Sequence, residues 1–402
     1  MMKKSNSAIE PMNTEIKEDE IQQEGSKQYE EWENAERWSK NAARTSVTAD
    51  SIEKVIKRLK KSTGGGPQQI TPWMIRQAVE GSTNGSCALV IANLSNRMAN
   101  GDFNNVAGSA FSMMRSVALW KNKRKTAVRP IGMGDALKGV MTRAHCDQIR
   151  ELVADYVERN QFGMMKGGYE VGVHTMRALA NMCKEDGDVI LIIDFTNAFN
   201  SCNRNLLIKL AATYIPELAH LIFWLYANET EVLVSNGEKI ISSEGVHQGC
   251  GFSNILFVLL MRYIMRHIPR EGVKAKGSYL DDAFTKSKPA AVVQILKTIK
   301  DLEVKTNLKI KISKCHVHAP NPRVADECRL LIASTEEISE STKKINIHSN
   351  MNLKFLNTPI GTDEFVAKEL NKKLEGLKVK INAIAEMQFK MEAFTLLRTC
   401  WS

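Results

Sequence analysis

The 402-residue sequence has eight cysteines, spread singly from Cys87 to Cys400 with no Cys-x-x-Cys pair. That scatter argues against a disulfide framework and fits a reducing, intracellular setting. The densest metal-like cluster, Cys315-His316-Val317-His318, lacks a second ligand pair at zinc spacing, so no structural zinc is expected. A long hydrophobic run is missing as well. The most apolar stretch, Ile255 to Ile268, is interrupted by Arg262, Arg266 and His267 and is too short to span a bilayer. The opening Met-Met-Lys-Lys-Ser-Asn has no apolar core for a signal peptide, and the chain shows no internal repeat. These absences lead to the expectation of a soluble, intracellular protein with no membrane partner.

What is present is ordinary globular composition, 43% hydrophobic and 25% charged, with a formal net charge of +10. The charge is uneven: residues 1–40 carry a net of −4, leaving +14 on residues 41–402. Basic clusters stand at Lys54–Lys61 and Lys121–Lys125, with a sparser run from Lys297 to Lys314. Each alone reads as a solvated face. Three around one acidic centre suit a polyanionic partner.

Residues 1–45 are polar and acidic and read as disordered or a loosely attached helix. A short basic helix is expected over Ser51–Lys61, and a second starts at Pro72 with Thr71 as its cap. Residues 86–120 read as helical patches broken at Gly101 and Gly108. Val128–Ile131 reads as extended, and helix is expected over Asp135–Arg159 and from Gly168 through Cys183. Val189-Ile190-Leu191-Ile192-Ile193 has the unbroken apolar pattern of a strand buried on both faces, and it runs into Asp194. A hairpin over Glu229–Ile241 turns at Asn236-Gly237, and Ser253 is expected to cap a helix over Asn254–His267. Helix follows over 290–308, extended chain over Lys309–His318, and amphipathic helix beyond Gly361.

The stretch Gly277-Ser278-Tyr279-Leu280-Asp281-Asp282-Ala283-Phe284 reads as two short strands with adjacent carboxylates at their connection. Such a pair can simply cap a solvated hairpin. It can also meet a hard divalent cation such as Mg²⁺, which prefers oxygen ligands. Asp194 tips the balance, because a carboxylate ending a buried strand is costly unless something positive meets it. If that strand and the hairpin share a sheet, three carboxylates gather although 87 residues separate Asp194 from Asp281. Three carboxylates on one sheet edge can hold two Mg²⁺ ions for in-line phosphoryl transfer.

Seven motifs in order then carry a resemblance. They are Gly66-Pro67-Gln68-Gln69-Ile70-Thr71-Pro72, Arg129-Pro130-Ile131-Gly132, Gln161-Phe162-Gly163, Asp194-Phe195-Thr196-Asn197-Ala198-Phe199-Asn200-Ser201, Gly245-Val246-His247-Gln248-Gly249, Tyr279-Leu280-Asp281-Asp282 and Thr358-Pro359-Ile360-Gly361. From about residue 60 to the C-terminus the chain resembles the reverse transcriptase domain of non-long-terminal-repeat (LINE-type) retrotransposons. The resemblance implies an α+β right-hand polymerase with fingers, a palm built on a ferredoxin-like antiparallel sheet plus helices, and an incomplete thumb. It apportions the chain as an N-terminal extension (1–50), fingers (51–188), palm (189–355, with the turn 245–253) and primer grip with partial thumb (356–402). It assigns the metal-binding triad to Asp194, Asp281 and Asp282. It makes Phe199 the flat ring beneath the incoming sugar, excluding a 2′-hydroxyl, and Gln248 and Gly249 the turn against nucleotide and template. Arg129 would face the triphosphate and Lys314 would assist pyrophosphate departure. The implied cofactor is two Mg²⁺ ions, with Mn²⁺ as a substitute. The implied partners are an RNA template, a DNA primer and deoxynucleoside triphosphates, and the location implied is nuclear.

Three departures stand out. Cys250, Gly251 and Phe252 replace the family's usual small residue, proline and aliphatic, and Leu280 is bulkier than the alanine often found there. The chain also stops inside what should be the thumb, as expected of a fragment. The sequence therefore leaves a second reading open, a truncated relic that binds nucleic acid without extending a primer. An RNA-dependent RNA polymerase would be expected to place a hydroxyl-reading acid near position 199, where Phe199 stands. A metal-dependent nuclease has no use for Phe199 or the Gln248-Gly249 turn.

Overall fold

The computed structural model describes residues 45–60, 64–102, 110–120, 128–157, 160–227, 229–234, 237–247 and 249–401. The basic cluster Lys121–Lys125, Asn236 and most of the N-terminal extension lie outside these residues. The described strands are β1 (Met114–Trp120), β2 (Val128–Met133), β3 (Val189–Ile193), β4 (Thr230–Leu233), β5 (Lys239–Ser242), β6 (Val273–Tyr279), β7 (Asp282–Ser287), β8 (His316–His318), β9 (Asn346–His348), β10 (Leu353–Phe355) and β11 (Thr358–Ile360). Helices and mixed sheets together make an α+β protein. The chain divides into two units, residues 1–145 with 204–243, and residues 146–203 with 244–402.

In the first unit, Thr48 caps the helix Ala49–Arg58 by accepting from Ser51 N–H at 3.2 Å. Ile52, Val55 and Ile56 form its buried stripe at helical spacing. The other end is closed by Arg76, whose guanidinium donates to the Ile56 carbonyl at 2.8 Å and to those of Lys57 and Leu59 at 3.1 Å. Thr71 caps Pro72–Glu80 as expected, accepting from Met74 N–H at 3.3 Å.

The helical patches expected over 86–120 need correction. Ser86–Ala99 is helical, but Met114–Trp120 is β1, paired antiparallel with β2 from Arg115↔Met133 to Trp120↔Val128. Met, Ala and Leu favour helix locally, and it is the partner strand that overrides them. The sheet order is β2-β1-β4-β5, with β1 and β4 parallel.

The second unit holds a five-stranded sheet in the order β6-β7-β3-β8-β9. β6, β7, β3 and β8 are antiparallel neighbours in the order of a ferredoxin-like sheet, and β9 is added parallel to β8. β3 lies between β7 and β8, so both its edges are hydrogen-bonded and Val189, Ile190, Leu191 and Ile193 are fully buried. Ile190 and Phe284 join Phe162, Met176, Leu353 and Phe355 in one apolar core. β10 and β11 form the hairpin expected at Thr358–Gly361. Tyr169 is bound to it, its hydroxyl 3.2 Å from the Leu356 carbonyl and 2.5 Å from Thr358 Oγ1.

The extended chain expected over Lys309–His318 is likewise interrupted. A 3₁₀ turn at Ile312–Lys314 leaves only His316–His318 as strand. The helix expected after Ser253 starts at Ser253 itself, and its hydroxyl donates back to the His247 carbonyl instead of capping the first turn. Among the described residues no helix is long and apolar enough to cross a membrane.

Candidate active site

Strand register in the second unit sets Asp194 beside Asp282, with Asp281 next to it along the chain. β3 pairs with β7 so that its last residue, Ile193, stands opposite Ala283. One step further along the same two chains stand Asp194 and Asp282, neighbours across an antiparallel pair. β6 and β7 are joined by Leu280 and Asp281, with Tyr279 opposite Asp282, which puts the acidic pair at the connection as the sequence predicts.

The main chain at Asp194 is fixed although the strand has ended. Its carbonyl accepts from Lys311 N–H at 2.8 Å, and its N–H meets Cys315 Sγ at 3.4 Å. Two residues later, Thr196 N–H donates to the Lys309 carbonyl at 2.8 Å. The 3₁₀ turn that breaks the 309–318 segment brings Lys314 Nζ to 3.3 Å from Asp194 Oδ2. Half of the Lys314 side chain is exposed, so this ion pair contributes less than about 1 kcal/mol. Asp194 Oδ1 is buried and finds no hydrogen-bond partner among the described residues.

Negative charge therefore outweighs positive at this spot, and the Asp282 carboxyl registers it. The Asp282 carboxyl is pushed up to about 6, first by loss of hydration against the sheet, then by the charges of Asp281 and Asp194, with Lys314 opposing. Its side chain still reaches solvent. An all-oxygen donor set with an orphaned carboxylate oxygen suits a hard divalent cation. Among the described residues no three such groups already converge on one point, so a cation would have to draw them in.

Phe199 lies on the short helical turn Ala198–Ser201, preceded by Asn197 at φ 49°. One face of its ring stacks on Phe257, with centroids 4.3 Å apart and planes 14° apart, and the side chain remains half-buried. The glycine turn is bound to the same loop: Val246 N–H donates to the Phe199 carbonyl at 2.7 Å and Gly245 N–H to the Cys202 carbonyl at 2.8 Å. Gly249 has φ +91° and open space where a side chain would stand. Gln248 lies outside the described residues. Arg129 belongs to the first unit, on β2 with its backbone opposite Leu119, and its part in the site rests on the resemblance alone.

Sequence reasoning gave no role to Phe257 and weighed Cys315 only as part of a metal-like cluster with His316 and His318. Phe257 is one apolar residue in an apolar helix, and nothing in the pattern marks it as a platform. Cys315 is a lone thiol whose burial pushes it up to about 11, so it stays neutral beneath Asp194.

No curated protein matches the chain. Among solved structures, an insertion-loop deletion mutant of the RNA-dependent RNA polymerase of a human picobirnavirus is 12% identical, with a TM-score of 0.45 over 76% of this chain and 57% of that one. Apo telomerase from Candida tropicalis, truncated from its C-terminal domain, is 15% identical, with a TM-score of 0.38 over 51% of this chain and 50% of that one. The chain thus spans about half the length of either. The family model described as reverse transcriptase (RNA-dependent DNA polymerase) matches residues 121–356, a stretch that contains Asp194, Phe199, Asp281, Asp282 and Lys314, and the chain belongs to that family.

Proposed function

We propose that the chain is the RNA-directed DNA polymerase domain of a non-long-terminal-repeat retrotransposon, extending a DNA primer on an RNA template. The observation that carries this reading is the placement of Asp194 and Asp282 one register step beyond Ile193↔Ala283, with Asp194 Oδ1 buried and unpartnered among the described residues. Residues 51–188 then serve as fingers, 189–355 as palm and 356–402 as primer grip and part of a thumb. Asp194, Asp281 and Asp282 would hold two Mg²⁺ ions. When bound, these supply the charge that lowers the pKa of an attacking hydroxyl and steadies a departing pyrophosphate.

The chain's own residues do the rest. Phe199, backed by Phe257, presents a flat wall to the sugar of the incoming nucleotide. Gly249 lets backbone approach nucleotide and template without a side chain between. Lys314 can exchange its weak contact with Asp194 for a phosphate, and Arg129 suits bidentate contact with a triphosphate.

Primer extension on an RNA template with Mg²⁺ and deoxynucleotides tests the reading. Asp194→Asn and Asp281→Asn should each lower the rate by at least about a hundredfold, since each removes several kcal/mol of charge stabilisation. If the unaltered chain extends nothing, and template binding is the same with and without Asp281, the chain is a nucleic-acid-binding relic instead.

A further inference from the structure

The triplet Gln161-Phe162-Gly163 has no chemistry of its own, yet all three residues engage the acidic hairpin. Gln161 is buried, 3% exposed. Its Oε1 accepts from the backbone N–H of Leu280 at 2.9 Å and of Gly163 at 3.1 Å, and its Nε2 donates to Ser278 Oγ at 2.9 Å. Two N–H groups converging on one atom require that atom to be the amide oxygen. The preceding carbonyl, of Asn160, accepts from Ser278 N–H at 2.8 Å. One side-chain amide thus grips both the β6 side of the connection and the residue directly before Asp281.

The other two residues complete the hold. Phe162 stacks on Phe284, two positions beyond Asp282, with centroids 6.2 Å apart and planes 6° apart. At residue 163 a Cβ would stand 2.9 Å from Leu280 Cδ2, so glycine leaves the space that the leucine fills. Leu280 itself has φ +53°, a left-handed conformation that leucine keeps only where its surroundings over-determine it.

We propose that Gln161 and Gly163 are positioning residues: they hold the main chain at Leu280 in its left-handed form and thereby set where Asp281 stands. The inference rests on the reading of Asp281 as a catalytic carboxylate. It also accounts for the bulk of Leu280, whose side chain is one half of the clamp.

The test uses the full chain. Gln161→Met keeps the side chain's length and removes every bond the amide makes, whereas Gln161→Glu keeps the acceptor. Hydrogen exchange at the Leu280 amide should quicken at least about tenfold in Gln161→Met and stay slow in Gln161→Glu, because only the former frees that N–H. In primer extension, Gln161→Met should lower kcat by about tenfold to a hundredfold with KM for the nucleotide little changed, as a misplaced group does. Gly163→Ala should lower kcat in the same way with Gln161 intact, and adding Leu280→Ala to it should restore most of the loss. Those two variants carry the test if Gln161→Met does not fold. Unchanged exchange at Leu280 in folded Gln161→Met overturns the clamp, as does a lowered Tm with unaltered kcat. An unaltered chain that extends no primer overturns the polymerase reading, and the exchange measurement then decides the clamp alone.

Discussion

Phe199 offers a direct test of the nucleotide pocket, because its ring stacks on Phe257 while part of it remains open. Phe199→Val removes the flat wall and should reduce the preference for deoxyribonucleotides over ribonucleotides by about tenfold or more, in line with what one pocket contact discriminates. The ratio of kcat/KM for the two sugars in single-nucleotide extension measures this, and an unchanged ratio would take Phe199 out of the sugar-reading role. At this scale the sequence was readable wherever a residue was out of place for its surroundings. Asp194 stood out because a carboxylate ends an apolar strand, and Asp281-Asp282 because like charges adjoin. Phe257 was silent for the opposite reason, and Gln161 and Cys315, though they stand in a motif and a metal-like cluster, showed no task there: each suits its neighbours, and only the folded contacts give it one.

At the level of elements, β3 and β7 carry charge at both ends, and the end away from Asp194 is the one that is balanced. Lys286, fully buried on β7, contacts Asp186 at 2.6 Å and Asp188, and Lys274 joins at 2.9 Å from Asp188. Lys286→Met leaves Asp188, itself buried, with only the half-exposed Lys274. It should cost about 3 kcal/mol, the lower part of the range for breaking a buried ion pair, read as a shift in the urea midpoint at constant slope. Strands and helices were legible from sequence when their pattern was unambiguous, as in Val189–Ile193 or after Thr71. β1 was not, since its residues favour helix until β2 lies alongside. Nor was the 3₁₀ turn that delivers Lys314, because a turn of that kind inside Lys309–His318 is fixed by the Asp194 main chain to which it bonds.

Across the whole molecule, two buried imidazoles set how the fold responds to acid. His145 is buried between Ser95 Oγ at 3.0 Å and Thr45 Oγ1 at 3.3 Å, and burial lowers it to about 4 from an ordinary 6.5. His318 is lowered to about 3, by burial first and then by His348 and His316. In the unfolded chain both take up protons as pH falls through 6.5, while the folded chain holds them neutral until far lower pH. At these two sites the unfolded state therefore binds more protons in that interval, and their contribution to stability falls as pH drops from about 6.5 toward 4, opposed by Asp282, whose raised carboxyl takes up its proton first in the folded chain. Thermal melts across that range should show the loss, and His145→Asn should flatten part of the slope.

The uncompensated end of the β3–β7 ladder has a further consequence, one of mass action. An ion that binds the folded aspartates and not the unfolded chain raises stability by an amount set only by its concentration relative to its dissociation constant, about 2.7 kcal/mol at a hundredfold excess. The melting temperature should climb with the logarithm of Mg²⁺ concentration, hardly respond to Na⁺ at equal ionic strength, and be flat in Asp194→Asn. Heat, with no template, primer or nucleotide in the tube, would then weigh the ion against the site, and a chain unable to turn over could still report how tightly its carboxylates close.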